Sequence, residues 1–529
     1  MAYFDDLPNE LLADIINRLA WNPHTLARLC LVSHSLSRVA KEVLYTHIKC
    51  PWYGPSVIFL GRTLLDDPEL GQKVRELQCD LVFNDYDNWD CSGWQSPNYN
   101  KIEVIGKAAI HLENFFEHEE NSVMAFVTRG LVHGEAMAYA ALILTLLPNL
   151  SSLCFSMDED NDGDGVHDRP IEALFGLYQQ TYTEPRDAPR FCRTLDTLRE
   201  LKVPVDNIAL LAFFPLDGLK FLEINFTDRN GRAYQQRQSL PTSIQARTLK
   251  ELKLVIDCES ICRGHGLMPS RLQESISALQ VAETPYYPES VEIQLTCCMH
   301  ARHTRSRHRI ATFSSLVAKL YQISSGIERL RVIFDPESTL EDSFDACLGF
   351  FHPVTSMDHF SSLQELHVME NFLVSEAYRG LPQRHPRVSP TLLPPQLEKL
   401  TIQAPSGKIL PWLVQVAEAA QQFQSLRHIE LQCITRCGRS AKWFRKHGAP
   451  IFDTLKASYI SVTISEVKSL PRCTTILGHY RKASVQSVWD QKPQLEVNCN
   501  DIPMDWELGW AGLRALFGSE YRECDIPGS

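Results

Sequence analysis

The sequence predicts an α/β protein in which a short helical segment leads into an irregular strand–helix solenoid. Three observations carry that prediction. The first fifty residues hold an apolar stripe at helical period, a short apolar pattern recurs ten times downstream, and amphipathic stretches fill several gaps between its copies. At 529 residues the chain exceeds what one ordinary hydrophobic core organises, so a repeat array or several domains is expected.

The opening element is LPNELLADIINRL, residues 7–19. Leu7, Leu11, Ile15 and Leu19 recur every four residues, with Leu12 and Ile16 beside them. Such a stripe defines a helix with one apolar face. Pro8 suits a first turn, and Asp5 and Asp6 sit near the positive end of the helix dipole. Asn22-Pro23 ends it. A second short helix is expected over 25–31, with Leu26 and Leu29 inward. A third is expected over 33–44, opened by Ser33 as its cap and carrying Leu36, Val39, Ala40, Val43 and Leu44. Three helices in so few residues make too small a core to stand alone, and their apolar residues exceed one inner face. A partner protein or the following domain must cover the surplus.

LPNELLADIINRL followed by LCLVSHSLSRVAKEVLY resembles an F-box, in the style of filamentous-fungal F-box proteins. The matching positions are Leu7, Pro8, Glu10, Leu11, Ile15 and Leu19, then Leu31, Val32, Ser33, Leu44 and Tyr45. The resemblance covers about 45 of the 529 residues. It implies docking on a Skp-type adaptor, which binds a cullin carrying a RING protein, while the rest of the chain holds a target for ubiquitin transfer. Leu7, Pro8, Glu10, Leu11, Ile15, Leu19, Val32 and Leu44 are the adaptor-binding residues it implies. The alternative is a helical hairpin packed only on its own C-terminal domain.

Downstream, apolar-x-x-apolar-x-apolar appears as VRELQC, LSSLCF, LRELKV, LKFLEI and LKELKL, starting at 74, 150, 198, 219 and 249. It continues as PESVEI, IERLRV, LQELHV, LEKLTI and LRHIEL, starting at 288, 327, 363, 397 and 426. The last two apolar positions are two apart, as a strand with one buried face requires, and the leading one anchors the entry turn. The pattern resembles the leucine-rich repeat. Its ninth position is Asp158, Asp206, Asp257, Asp335 or Asn371 in five copies. A side chain that accepts hydrogen bonds from turning backbone belongs there. The other five hold Val82, Thr227, Thr296, Pro405 and Ile434, so the pattern is degenerate. Helical stretches are expected over 102–119, 135–147, 270–282, 312–324 and 411–423, giving each strand a helix behind it. The long first step hides a further strand or an insertion. Residues 176–189 and 378–395 read as loops. The domains expected are 1–50 (the F-box), 51–440 (the array) and 441–529 (a capping region).

Residues between the buried strand positions point outward. Glu223, Lys253, Arg331, His367, Thr401 and Glu430 are the candidate substrate-binding residues, with plain solvated strand positions as the alternative. Their mixed charge suits a protein surface better than a nucleic-acid groove.

Composition excludes other classes. The formal charge of −12 disfavours wrapping nucleic acid. Sixteen cysteines without a C-x-x-C pair argue against a disulfide scaffold and suit a reducing compartment. The start MAYFDDLPNE has no signal-peptide pattern, and the longest apolar stretch, residues 136–147, is too short to span a bilayer and reads as a core helix. The expected location is cytoplasmic, nuclear or both.

DEDNDGDGVHD (158–168) begins with calcium-loop spacing, but Arg169 stands where a bidentate Glu is needed. CCMHARHTRSRHR (297–309) mixes Cys297, Cys298, His300, His303 and His308 with arginines, a poor tetrahedral zinc set. A basic loop there would suit an acidic or phosphorylated segment. Cys258, Cys262, Cys433 and Cys437, just past strands, read as buried thiols. The sequence contains no G-x-S-x-G, G-x-x-x-x-G-K-[ST], H-E-x-x-H or G-x-G-x-x-G. The expectation is a substrate receptor of an SCF-type ubiquitin ligase, with no enzymatic activity, cofactor or metal of its own and an unknown target protein. The alternative is a scaffold that binds the adaptor without delivering substrates. An enzyme using the His/Cys/Arg cluster would require bound metal.

Overall fold

The computed structural model describes residues 7–19, 23–51, 56–83, 101–116, 127–128, 130–132, 136–159, 197–204, 218–226, 248–257, 287–296, 311–334, 351–374, 392–434 and 439–467. The chain divides into two compact units. One holds residues 1–255, 270–289 and 508–529; the other holds 256–269 and 290–507. Both are mixed α/β, and every strand pairing described in them is parallel.

The first unit opens with α1 (Asn9–Asn17), α2 (Pro23–Leu29) and α3 (His34–Thr46). Pro8 stands just ahead of α1, in extended conformation, and its carbonyl accepts from the Leu11 and Leu12 amides. Pro23 starts α2 two residues earlier than expected, because proline is pre-set for a first helical turn. Ser33 caps α3 as the sequence indicated, its Oγ accepting from the Leu36 amide at 3.3 Å. Both α1 and α2 pack on α3, which buries Leu36, Val39, Ala40, Val43, Leu44 and Tyr45. Next come β1 (His47–Pro51), α4 (Ser56–Asp66), α5 (Pro68–Lys73), β2 (Glu76–Phe83), α6 (Lys101–Phe116), α7 (Ala136–Thr145), β3 (Ser152–Glu159), β4 (Glu200–Pro204), β5 (Phe221–Phe226) and β6 (Glu251–Asp257). The strands lie in sequence order. β2 pairs directly with β3, Glu76 opposite Ser152, so the described part of the long first step is helical. α7, the apolar stretch, is buried nearly all round, as a core helix should be.

The second unit contains β7 (Ser290–Thr296), β8 (Ala311–Thr312), α8 (Phe313–Lys319), β9 (Arg329–Phe334), β10 (Phe351–His352), β11 (Glu365–Met369), α9 (Glu370–Leu373), β12 (Lys399–Gln403), α10 (Ile409–Glu418), β13 (His428–Ile434), α11 (Ala441–His447), α12 (Ala449–Ala457) and β14 (Ser461–Val467). Its main sheet runs β7-β9-β11-β12-β13-β14, and β8 pairs with β10 apart from it.

All ten copies of the apolar pattern are strands, and the spacing has a backbone reason. The carbonyl of the second residue in one copy accepts the amides of the second and third residues of the next. Arg75 takes Ser151 and Ser152, Ser151 takes Arg199 and Glu200, and Arg199 takes Lys220 and Phe221. In the second unit Glu328, Gln364 and Glu398 repeat the arrangement. The leading residue of each copy (Val74, Leu150, Leu198, Leu219, Leu249; Pro288, Ile327, Leu363, Leu397, Leu426) is buried at the entry to its strand, with the described alternate residues of the strand buried beside it. Each buried leucine or isoleucine contributes roughly 1.5–3 kcal/mol.

Where the sequence placed helices, α6, α7, α8 and α10 occur with shorter bounds, and tight 3-10 turns at Tyr321–Gly326 and Ala420–Gln422 replace the ends of two of them. Expected helix 270–282, loop 176–189 and the cysteines at 258, 262 and 437 lie outside the described residues. So do all of the 297–309 cluster and the acidic segment beyond Glu159.

Candidate protein-interaction surfaces

On α1 the apolar stripe splits between two environments. Leu12 and Ile16 are buried against α3, whereas Leu11 remains 52% exposed and Ile15 39%. The turn after α2 adds Leu31 and Val32, the latter 67% exposed. Among residues named as adaptor-binding, Pro8 and Glu10 are also exposed, and Leu7 and Leu19 are half-buried. Leu44 is a correction: α3 turns it inward, so it belongs to the core and presents nothing to a partner. Asp14 and Arg18 form an exposed i,i+4 ion pair beside Ile15. Behind this surface the side chains are chemically quiet. Burial pushes the Cys30 thiol up to about 11 and the Tyr45 phenol up to about 12.

The six candidate strand residues occupy one equivalent position in their copies, and the sheet aligns them. In the first unit, register places Gln78, Cys154, Lys202 and Glu223 side by side on four strands. The same Glu223 oxygen lies 3.6 Å from Lys202 Nζ and 3.5 Å from Lys253 Nζ. In the second unit, Glu292, Arg331, His367, Thr401, Glu430 and Thr463 form a row across six strands. Arg331 pairs with Glu292 at 2.9 Å, and Glu430 accepts from Ser465 Oγ at 2.7 Å and lies 3.4 Å from Lys399. The Ser465 hydroxyl, then Lys399, hold the Glu430 carboxyl below its ordinary range.

Two members of the row depart from solvated strand positions. Thr401 is only 7% exposed, and its neighbour Gln403 is buried with Oε1 accepting the Phe334 amide at 3.3 Å. Thr401 is therefore not a contact residue in this conformation. His367 is half-buried, and its Nε2 has no hydrogen-bond partner among the described residues. Burial first, then the Arg331 guanidinium, push its pKa down to about 4, so the imidazole is neutral near pH 7. The partners Lys202, Glu292 and Lys399 escaped the sequence reading. Lys202 and Glu292 occupy the same position in their copies as the six that were named, and that shared position was the available signal.

Among the described residues, no group of three or more His, Cys, Asp or Glu side chains is placed to hold a metal ion, and no helix is long and apolar enough to cross a membrane. The class defined by these observations is an α/β protein of parallel strands with an apolar helical surface near one end of its sequence. No family model matches the chain, and no curated protein matches it.

Proposed function

We propose that this chain is the substrate-recognition subunit of an SCF-type ubiquitin ligase, built as an F-box followed by an irregular leucine-rich-repeat-like solenoid. The observation that carries the reading is the exposure of Leu11, Ile15 and Val32, while Leu12 and Ile16 next to them supply the core. Those three stand where the F-box resemblance puts its adaptor contacts. Exposed apolar side chains grouped on a small helical unit mark a protein-binding surface. The parallel strands, with their outward rows of mixed charge, support a repeat array that holds a target protein. Mechanistically the chain is a scaffold. It raises the local concentration of target lysines near a charged conjugating enzyme, and no residue of its own does covalent chemistry. A cytoplasmic or nuclear location accompanies this reading.

The test is co-purification of the full chain with a Skp-type adaptor, comparing wild type with Leu11→Ala/Ile15→Ala/Val32→Ala. The reading expects a complex that the triple variant loses while its melting temperature stays. A folded wild type that does not bind the adaptor refutes it.

A further inference from the structure

The chain is acidic overall, yet one short stretch of the second unit is strongly basic. Residues 439–447 hold Arg439, Lys442, Arg445 and Lys446 and no acidic residue. α11 displays them in an ordered way. Ala441 and Phe444 are buried against the unit, and Ser440 caps the helix through the Trp443 amide. Lys442, Arg445 and Lys446 are exposed and stand at i, i+3 and i+4, so they share one face. Trp443 lies beside that face, with the Arg439 guanidinium 5.3 Å from its ring and the His447 imidazole stacked at 4.5 Å.

Among the described residues none of the four cations makes an ion pair. The acids on the two elements that pack against α11, Glu466 on β14 and Asp453 on α12, are both exposed and neither is bridged to them. Like charges at i, i+3 and i+4 repel and weaken a helix. The helix dipole accounts for Arg445 and Lys446, which lie in the last turn. It opposes Lys442, which lies in the first. An anionic partner relieves all three at once.

We propose that this face of α11 docks an acidic segment of a partner protein. A single-stranded nucleic acid is the other polyanion to weigh, and it needs open aromatic faces on which bases stack. Trp443 does not offer them freely, because Arg439 and His447 already lie against its ring. A carboxylate-bearing peptide needs only the amines and the guanidinium groups, which pair carboxylate directly. The inference does not depend on what the N-terminal helices bind.

The experiment titrates the full chain into a short fluorescein-labelled peptide of alternating aspartate and serine, read by anisotropy. A glycine–serine peptide and an oligothymidylate of matching charge are run beside it. The expected result is binding of the aspartate peptide alone or most tightly, weakening as salt rises. Lys442→Glu/Arg445→Glu/Lys446→Glu should weaken it at least roughly tenfold. Lys442→Gln/Arg445→Gln/Lys446→Gln, which avoids new repulsion, should lose part of that. Both variants keep Ala441 and Phe444, and unchanged melting temperatures establish that they fold. Tighter binding of the oligothymidylate overturns the proposal in favour of a nucleic-acid surface. No peptide binding, or binding indifferent to the charge reversals, overturns it outright. A charge reversal that lowers the melting temperature without changing the glutamine variant's affinity also does so, since the cations then serve only the helix.

Discussion

Alanine at Leu12 and alanine at Leu11 should do opposite things, though the residues are adjacent on α1. Leu12 is fully buried, so truncation removes its transfer energy and leaves a cavity, for a cost of roughly 3–5 kcal/mol. Leu11 is 52% exposed, so only part of its burial is lost and solvent fills the space. Roughly 1 kcal/mol of transfer energy is at stake there, and alanine returns a few tenths through its higher helix propensity. The difference is about 2–4 kcal/mol. Thermal unfolding of the two full-length variants, followed by circular dichroism, measures it. At about 2–4 °C per kcal/mol, Leu12→Ala should lower the transition of its unit by roughly 6–20 °C, and Leu11→Ala by no more than a few degrees. Adaptor binding should rank differently: Leu11→Ala weakens it although its melting temperature falls by no more than a few degrees. Equal losses of melting temperature would refute the assignment of inside and outside on α1. A stable Leu11→Ala variant that binds the adaptor as tightly as wild type would refute the docking role of this residue.

Other consequences follow from single positions. His367 has a folded pKa near 4, below its ordinary 6.5, so the unfolded chain binds more protons between those values and stability falls as pH drops from about 6.5 to 4. With a discount for its partial exposure this is worth roughly 1–3 kcal/mol, and urea titrations should show a shallower pH dependence for His367→Gln than for wild type across that window. A Cβ on Gly71 would press against the Leu146 carbonyl oxygen, backbone that cannot yield cheaply, so Gly71→Ala should destabilise the first unit by roughly 2 kcal/mol or more in the same assay. Tyr459 holds a left-handed backbone (φ 64°) while 82% exposed, so Tyr459→Gly should raise stability by roughly 0.5–1 kcal/mol; a drop would mean that its ring packs usefully.

The strands were legible because each copy repeats a backbone event as well as a composition. A carbonyl that accepts two successive amides fixes the turn, and the turn fixes where the leading leucine goes in. Two strands of the main sheets escaped for local reasons. β1 follows α3 without a break, and the leading residue of its copy, the buried Tyr45, still belongs to that helix, so Tyr45-x-x-Ile48-x-Cys50 is masked by the helical pattern that runs into it. β14 keeps the alternation, with Val462 opposite Ile429 and Ile464 opposite Leu431, and the Ser461 amide continues the ladder onto Arg427. Its anchor is displaced by one. Tyr459 occupies the leading position but turns outward through its left-handed backbone, and Ile460 is buried instead. A pattern search at fixed spacing cannot see that substitution.

Surfaces were harder to read than strands because exposure is a property of packing. The α1 stripe told that Leu11, Leu12, Ile15 and Ile16 were apolar, but only the seat of α1 on α3 decides that one pair is core and the other is not. Thr401 failed the other way. Alternation placed it outward, and it does lie on the outward row, yet its neighbours on that face cover it almost completely. The basic face of α11 lay within a region assigned to capping. Its charges were visible in the sequence, but their lack of acidic partners was not. Residues on the neighbouring strands, about thirty or more positions away in sequence, supply counter-ions to Arg331 and Lys399, and nothing in the local sequence distinguishes those paired cations from Lys442, Arg445 and Lys446. Pairing across strands therefore separates charges spent within the fold from charges left for a partner.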